Sequence, residues 1–172
     1  MTAALWREFC LRFQRQRSVV EDALRSVIAS DQNFGVARAT ARLLGASMGV
    51  PGLDGPDHID AARTGAAEYP WERSYIDAAL AAADAGPLWA SVDRWFAHHD
   101  EFPTDVNGLL FGRFGATTSA DKSRRDQVRG RVERTHCEVG DDPVLLGFEG
   151  MGAQERGELD DAERFAARAL DL

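Results

Sequence analysis

The chain has two cysteines and one lysine in 172 residues, and nowhere does it run 18 apolar residues without a charge. Cys10 and Cys137 lie far apart, with no C-x-x-C and no second Cys/His pair at ligand spacing. That excludes a disulfide scaffold and offers no metal or redox motif, so both are expected as reduced residues on helix faces. The missing apolar run argues against a membrane-spanning helix. Arg7 and Glu8 interrupt the stretch that a secretory signal would need, so a cytoplasmic location is expected. Positive charge is in deficit as well, with 20 basic against 28 acidic residues and a net charge of -8. A dedicated nucleic-acid binder is not expected, because counterion release needs clustered cations. β-Branched residues are few: 14 valines and isoleucines stand against 27 alanines, which makes helix the default. What is present, 44% hydrophobic and 28% charged residues, matches a globular chain able to bury a core.

Breakers divide the sequence into pieces of helix length. The joints are Asp31-Gln32-Asn33, Gly49 to Pro56, Tyr69-Pro70, Gly86-Pro87, Pro103-Thr104, Thr117 to Asp121, Gly140 to Pro143 and Gly157. Between them the spacing predicts ten helices, at 3–16, 18–30, 34–48, 56–68, 72–85, 88–101, 105–116, 122–138, 143–156 and 159–171. Apolar stripes at helical spacing support them, as with Leu88, Val92, Trp95 and Phe96. No domain boundary is visible, so residues 1–172 read as one domain.

Short connections between helices of this length call for a test of self-similarity. With Gly157 as a turn glycine, Gly150 lies seven residues before it, Ala162 five after and Ala169 twelve after. This is tetratricopeptide spacing, in which small residues recur where neighbouring helices approach closely. A second copy places Tyr75, Ala79 and Ala82 on a first helix, Gly86 at the turn, Ser91 and Trp95 on a second helix, and Pro103 at the close. The clearest repeats are therefore 72–103 and 143–172. Residues 1–68 and 104–142 are degenerate copies, with Gly112 keeping one small position. The length divided by the period of about 34 residues gives about five hairpins. The fold class expected is all-α, a tetratricopeptide-like α-solenoid of about five antiparallel hairpins in a right-handed superhelix.

The stretches HHDEFPTDVNGLLFGRFG, SRRDQVRGRVER and GDDPVLLGFEGMGAQERGELDDAERFAARALDL, in that order, resemble the core of the tetratricopeptide repeat protein 38 family. The resemblance is strongest from about Ala78 to Leu172 and looser in DALRSVIASDQNFGVARATARLLGASMG. It implies an all-helical solenoid and assigns no biochemical role. Family members continue past the ALDL-like helix with an Asn-Pro turn and further repeats, so the chain resembles an amino-terminal half. A solenoid without its capping helix is expected to self-associate or bind a partner at the carboxy-terminal hairpin.

Several constellations invite a chemical reading. His98-His99 in His98-His99-Asp100-Glu101 point about 100° apart on a helix and cannot share one tetrahedral ion, so a solvated helix end is expected. Thr135-His136-Cys137 is no Cys–His pair for the same reason. The six cations between Lys122 and Arg134 read as a solvated face, and Trp6, Trp71, Trp89 and Trp95 as hairpin packing. Neither a metal nor another cofactor is expected. The favoured reading is a non-catalytic scaffold that binds a peptide or protein segment through its concave face. On the tetratricopeptide register that groove takes Arg73, Ile76 and Leu80, then Val106, Leu109 and Arg113, then Val144, Met151, Gln154 and Glu155, with Arg73 and Arg113 as carboxylate contacts. The alternatives are a truncated or regulatory part of a larger repeat protein with no independent activity, or an enzyme using Asp77, Asp84 and Glu155.

Overall fold

The structure, a computed structural model, describes residues 2–14, 20–65 and 67–172. These form α1 (Thr2–Gln14), α2 (Val20–Ser30), α3 (Gly35–Met48), α4 (Asp57–Thr64), α5 (Pro70–Ala85), a 3-10 turn (Leu88–Ser91), α6 (Val92–Glu101), α7 (Val106–Thr118), α8 (Lys122–Val139), α9 (Pro143–Arg156) and α10 (Leu159–Leu170). The protein is all-helical, with no strand among the described residues. No helix among them is long and apolar enough to cross a membrane. The expected end of the first helix at 16 and start of the second at 18 lie outside the described residues.

Local chemistry explains the joints. Asp105, Asp121 and Asp142 each cap a helix by accepting backbone N–H bonds: from Asn107 and Gly108, from Ser123, and from Val144 and Leu145. Tyr69-Pro70, read from the sequence as a break, instead opens α5. Proline lacks only an N–H that the first turn leaves unpaired, and the Tyr69 N–H donates to Glu72 Oε2 at 3.1 Å. The fourth helix stops at Thr64 rather than 68. Gly65 follows it and crosses the backbone at Asn33 and Gly35 so closely that a Cβ there would lie 2.5 Å from the Asn33 carbonyl oxygen.

One apolar cluster runs from Phe9 on α1 to Phe148 on α9. Trp95 sits within it, stacked on Phe111 at 5.0 Å and edge-on to Tyr75 at 5.2 Å. Most contacts join elements adjacent in sequence, α9 with α10 most extensively. α3 also packs extensively on α5, past α4, and α1 reaches furthest along the chain: its Trp6 meets Phe34 and Tyr75 and its Phe13 meets Phe111 on α7 at 5.2 Å. In a simple repeat array each unit touches only its neighbours. Here the first helix reaches across α3 and α5 to α7.

Three expectations are corrected by this packing. His98 and His99 are 2% and 0% exposed, not a solvated end, because α6 is sandwiched between α5, α7 and α8. His98 bridges Ser74 Oγ and Asp105 Oδ2 at 2.9 Å each. His99 Nε2 meets Thr135 Oγ1 at 2.8 Å, and burial, helped by Arg131, pushes its pKa down to about 4, so the ring is neutral near pH 7. Trp89, expected in hairpin packing, is 49% exposed on the 3-10 turn. The basic run is less a free solvated face than a fastening. Arg124 pairs with Asp93 at 3.0 Å, and Arg131 and Arg134 pair with Asp100 at 2.6 and 3.4 Å, tying α8 to α6. Arg131 also lies over the Phe96 ring at 4.1 Å.

α7 makes a close approach along one edge, where Gly108, Gly112 and Gly115 lie against α6 and the 3-10 turn. A Cβ at Gly108 would lie 2.7 Å from His98 Cδ2, and one at Gly115 would collide with Val92 and lie 2.7 Å from the Leu88 carbonyl oxygen. Gly130, inside α8, has nothing within 4 Å of its absent Cβ. Gly115→Ala is therefore expected to destabilise the protein by about 1–3 kcal/mol, and Gly130→Ala to stabilise it by about 0.5–1 kcal/mol. Urea unfolding of the two variants checks both signs.

Candidate functional site

The principal cleft lies between α7, α9 and α10 and encloses about 720 Å³. On α9 its wall follows one helical face, Val144, Phe148, Met151 and Glu155, at offsets of four, three and four residues. On α7 it is formed by Leu110, Arg113, Phe114 and Thr117, and α10 closes it with Leu170. A smaller hollow of about 190 Å³ lies towards α8. Arg113, Thr117, Phe148 and Glu155 line both spaces.

Arg113 dominates the electrostatics. Its side chain springs from a deeply buried helix and the residue is 8% exposed. The guanidinium carbon stands 4.9 Å from the centre of the Phe148 ring, and Nη2 donates to Met151 Sδ at 3.6 Å. Among the described residues no carboxylate lies within 4 Å of it. Desolvation lowers its pKa and the nearby Glu155 partly offsets the shift. A guanidinium offers five N–H donors in a fixed fork, and a thioether is a weak acceptor, so hydrogen-bonding capacity is left facing the cleft.

Four of the ten expected groove residues are brought together here: Arg113, Val144, Met151 and Glu155. The others are not. Arg73 is exposed near the start of α5, donates to the Ala67 carbonyl at 3.0 Å, and does not line the cleft with Arg113. Ile76, Leu80 and Leu109 are core residues, and Val106 packs half-buried against the core. Gln154 is exposed and lines neither space. The register on α7 is rotated because Leu109 turns inward, which leaves Leu110, Phe114 and Thr117 on the cleft. Phe148 was legible as the residue four after Val144 on the same face. Asp77, Asp84 and Glu155, considered for acid–base work, are all exposed, and only Glu155 lines the cleft.

Beside the smaller hollow, His136 joins three elements. Nδ1 lies 2.8 Å from Glu149 Oε1 on α9, and Nε2 lies 2.9 Å from Asp141 Oδ1; Arg168 of α10 holds the other oxygen, Asp141 Oδ2, at 2.5 Å. Both ring nitrogens face carboxylates, so full satisfaction requires the imidazolium, and these two bonds raise the His136 pKa. The ring is fully engaged and cannot serve Cys137, which is exposed on α8.

No family model, curated protein or solved structure matches the chain.

A histidine whose folded pKa is raised contributes stability that is complete below its unfolded value of 6.5 and lost as pH rises through the folded value. The loss of melting temperature in His136→Gln relative to the wild type is therefore expected to be larger at pH 6 than at pH 9. Thermal melts of both proteins at the two pH values measure it; a difference independent of pH would contradict the imidazolium clamp.

Proposed function

We propose that the chain is a non-catalytic helical-repeat module that binds a carboxylate-bearing peptide or protein segment in the cleft beside Arg113. One observation carries this reading: a nearly buried guanidinium without an ionic partner, set in the wall of an apolar cleft. A cation in such a place, offset only in part by Glu155, is costly unless something neutralises it. A ligand carboxylate would accept two parallel N–H bonds from the fork, while Phe114, Val144 and Phe148 receive apolar side chains around it.

The tetratricopeptide arrangement and the kinship with the tetratricopeptide repeat protein 38 family belong to the same proposal. They are supported by the hairpin-forming contacts of α5 with α6, α7 with α8 and α9 with α10. They are supported also by Gly150, where a Cβ would lie 3.4 Å from Phe165 Cβ and from the Ala162 carbonyl oxygen on α10. The proposed groove is shorter than a concave face running the length of the array, because Ile76, Leu80 and Leu109 are already covered. Leu159 and Leu170 on α10 are exposed close to this end, which keeps self-association as the competing use of the surface.

Peptides selected by display against the purified chain are expected to carry Asp, Glu or a free carboxy terminus among apolar residues. Arg113→Gln is expected to weaken the selected peptide by about tenfold or more, Arg113→Lys to restore it only in part because the bidentate geometry is lost, and Arg73→Ala to leave it unchanged. Equal binding to the wild type and Arg113→Gln would refute the assignment. Light scattering of the free chain separates peptide binding from self-association.

A further inference from the structure

Another recess lies at the amino-terminal end of α7, where α1, the start of α5 and the α6–α7 joint meet. It encloses about 300 Å³ and is lined by Trp6, Trp71, Phe102, Thr104 and Asp105. We propose that it binds a quaternary or methylated ammonium group. This assignment is independent of the Arg113 cleft.

Three of the five lining residues are aromatic, and all three are half-buried, fixed by the core on one side and open on the other. Trp6 stacks on Phe9 at 5.0 Å and meets Phe34 and Tyr75 edge-on, while Phe102 packs on the His98 ring at 5.4 Å. Ring faces carry negative potential, and a cation within about 6 Å of them is attracted, most strongly by tryptophan. No basic side chain lines the space.

Asp105 adds formal charge. Its Oδ1 accepts from the Asn107 and Gly108 N–H groups at 3.0 and 3.2 Å, and its Oδ2 accepts from His98 Nε2 at 2.9 Å. No lysine or arginine pairs with it among the described residues. The His98 ring is held on both sides, Nε2 by Asp105 and Nδ1 by the Ser74 hydroxyl at 2.9 Å. The carboxylate, its side chain 17% exposed, keeps one of about four acceptor positions. The α7 amino terminus, positive by its dipole, meets the carbonyl end of α6 at Phe102, so the two helix ends oppose one another at this joint.

These features select the ligand. An anion would meet the carboxylate, and a neutral apolar group would bury it unpaired. A primary ammonium brings three N–H donors to a space with one free carboxylate position and one threonine hydroxyl. A methylated ammonium has few or no donors to satisfy, presents methyl groups to the rings and neutralises the carboxylate. Both a free quaternary amine and a trimethylated lysine side chain carry this chemistry.

The test titrates choline, a trimethyl-lysine peptide and the uncharged choline isostere 3,3-dimethylbutan-1-ol into the full chain, followed by tryptophan fluorescence and calorimetry. Saturable binding of choline or of the trimethyl-lysine peptide is expected, the isostere being weaker by about tenfold or more; the tighter of the two cations names the source. Trp71→Ala and Asp105→Asn are each expected to weaken the cation by about tenfold. Asparagine preserves the helix cap, so Asp105→Asn keeps the test valid even where loss of Trp71 perturbs folding, and circular dichroism checks both variants. Equal affinity for the isostere, undiminished binding in folded Asp105→Asn, or no saturation with either cation would overturn the proposal.

Discussion

The packing of α7 is the constraint on which the rest of the structure depends. Its glycine edge, Gly108, Gly112 and Gly115, must lie against α6 and the 3-10 turn, because any side chain at the two outer positions would collide with His98 or Val92. Once that edge is set, the helix has no freedom to rotate. Phe111 is directed at Trp95 and Phe13, which draws α1 across to it, and Leu109 enters the core. Arg113 is left facing Phe148 on α9. A helix this buried supplies both the centre of the core and the wall of the cleft, so the position of the candidate site follows from packing and not from a specialised loop.

Charge is distributed by the same logic. The arginines of α8 are spent on the carboxylates of α6, where partly exposed pairs contribute modestly one by one and together hold two helices in register. Arg113 differs because it has an aromatic ring and a thioether where others have carboxylates. Asp105 differs in the opposite sense, as a carboxylate that caps a helix and holds a histidine yet meets no lysine or arginine among the described residues. Among the described residues, Arg113, with no carboxylate within 4 Å, and Asp105, with no lysine or arginine beside it, mark two recesses in which apolar and aromatic surface stays open.

The histidines show how tertiary surroundings set chemistry. Desolvation holds His99 neutral, whereas two carboxylates hold a proton on His136, although the two side chains are identical and both sit on helices. One is buried between α6 and α8 and the other clamps α8 to the last hairpin. Local pattern alone does not distinguish them, because His99 is buried against Thr135, 36 residues away, and His136 needs Glu149 on the next helix as well as the nearby Asp141.

The sequence by itself determined the helical class, the number of helices and nearly all the joints. These are consequences of short-range chemistry: apolar period, glycine and proline breaks, and aspartates that cap. It also pointed to Arg113, Val144, Met151 and Glu155, since the small-residue spacing places them on the first helix of a hairpin. Only the tertiary structure decided which way α7 faces, that α1 reaches past its neighbours, and that His98 and His99 are buried. It likewise decided that Ile76, Leu80 and Leu109 belong to the core and that Trp6, Trp71 and Phe102 meet around Asp105. Each of these depends on contacts between segments far apart in the chain, where a rotation of one residue, about 100° around a helix, moves a side chain from a cleft into the core.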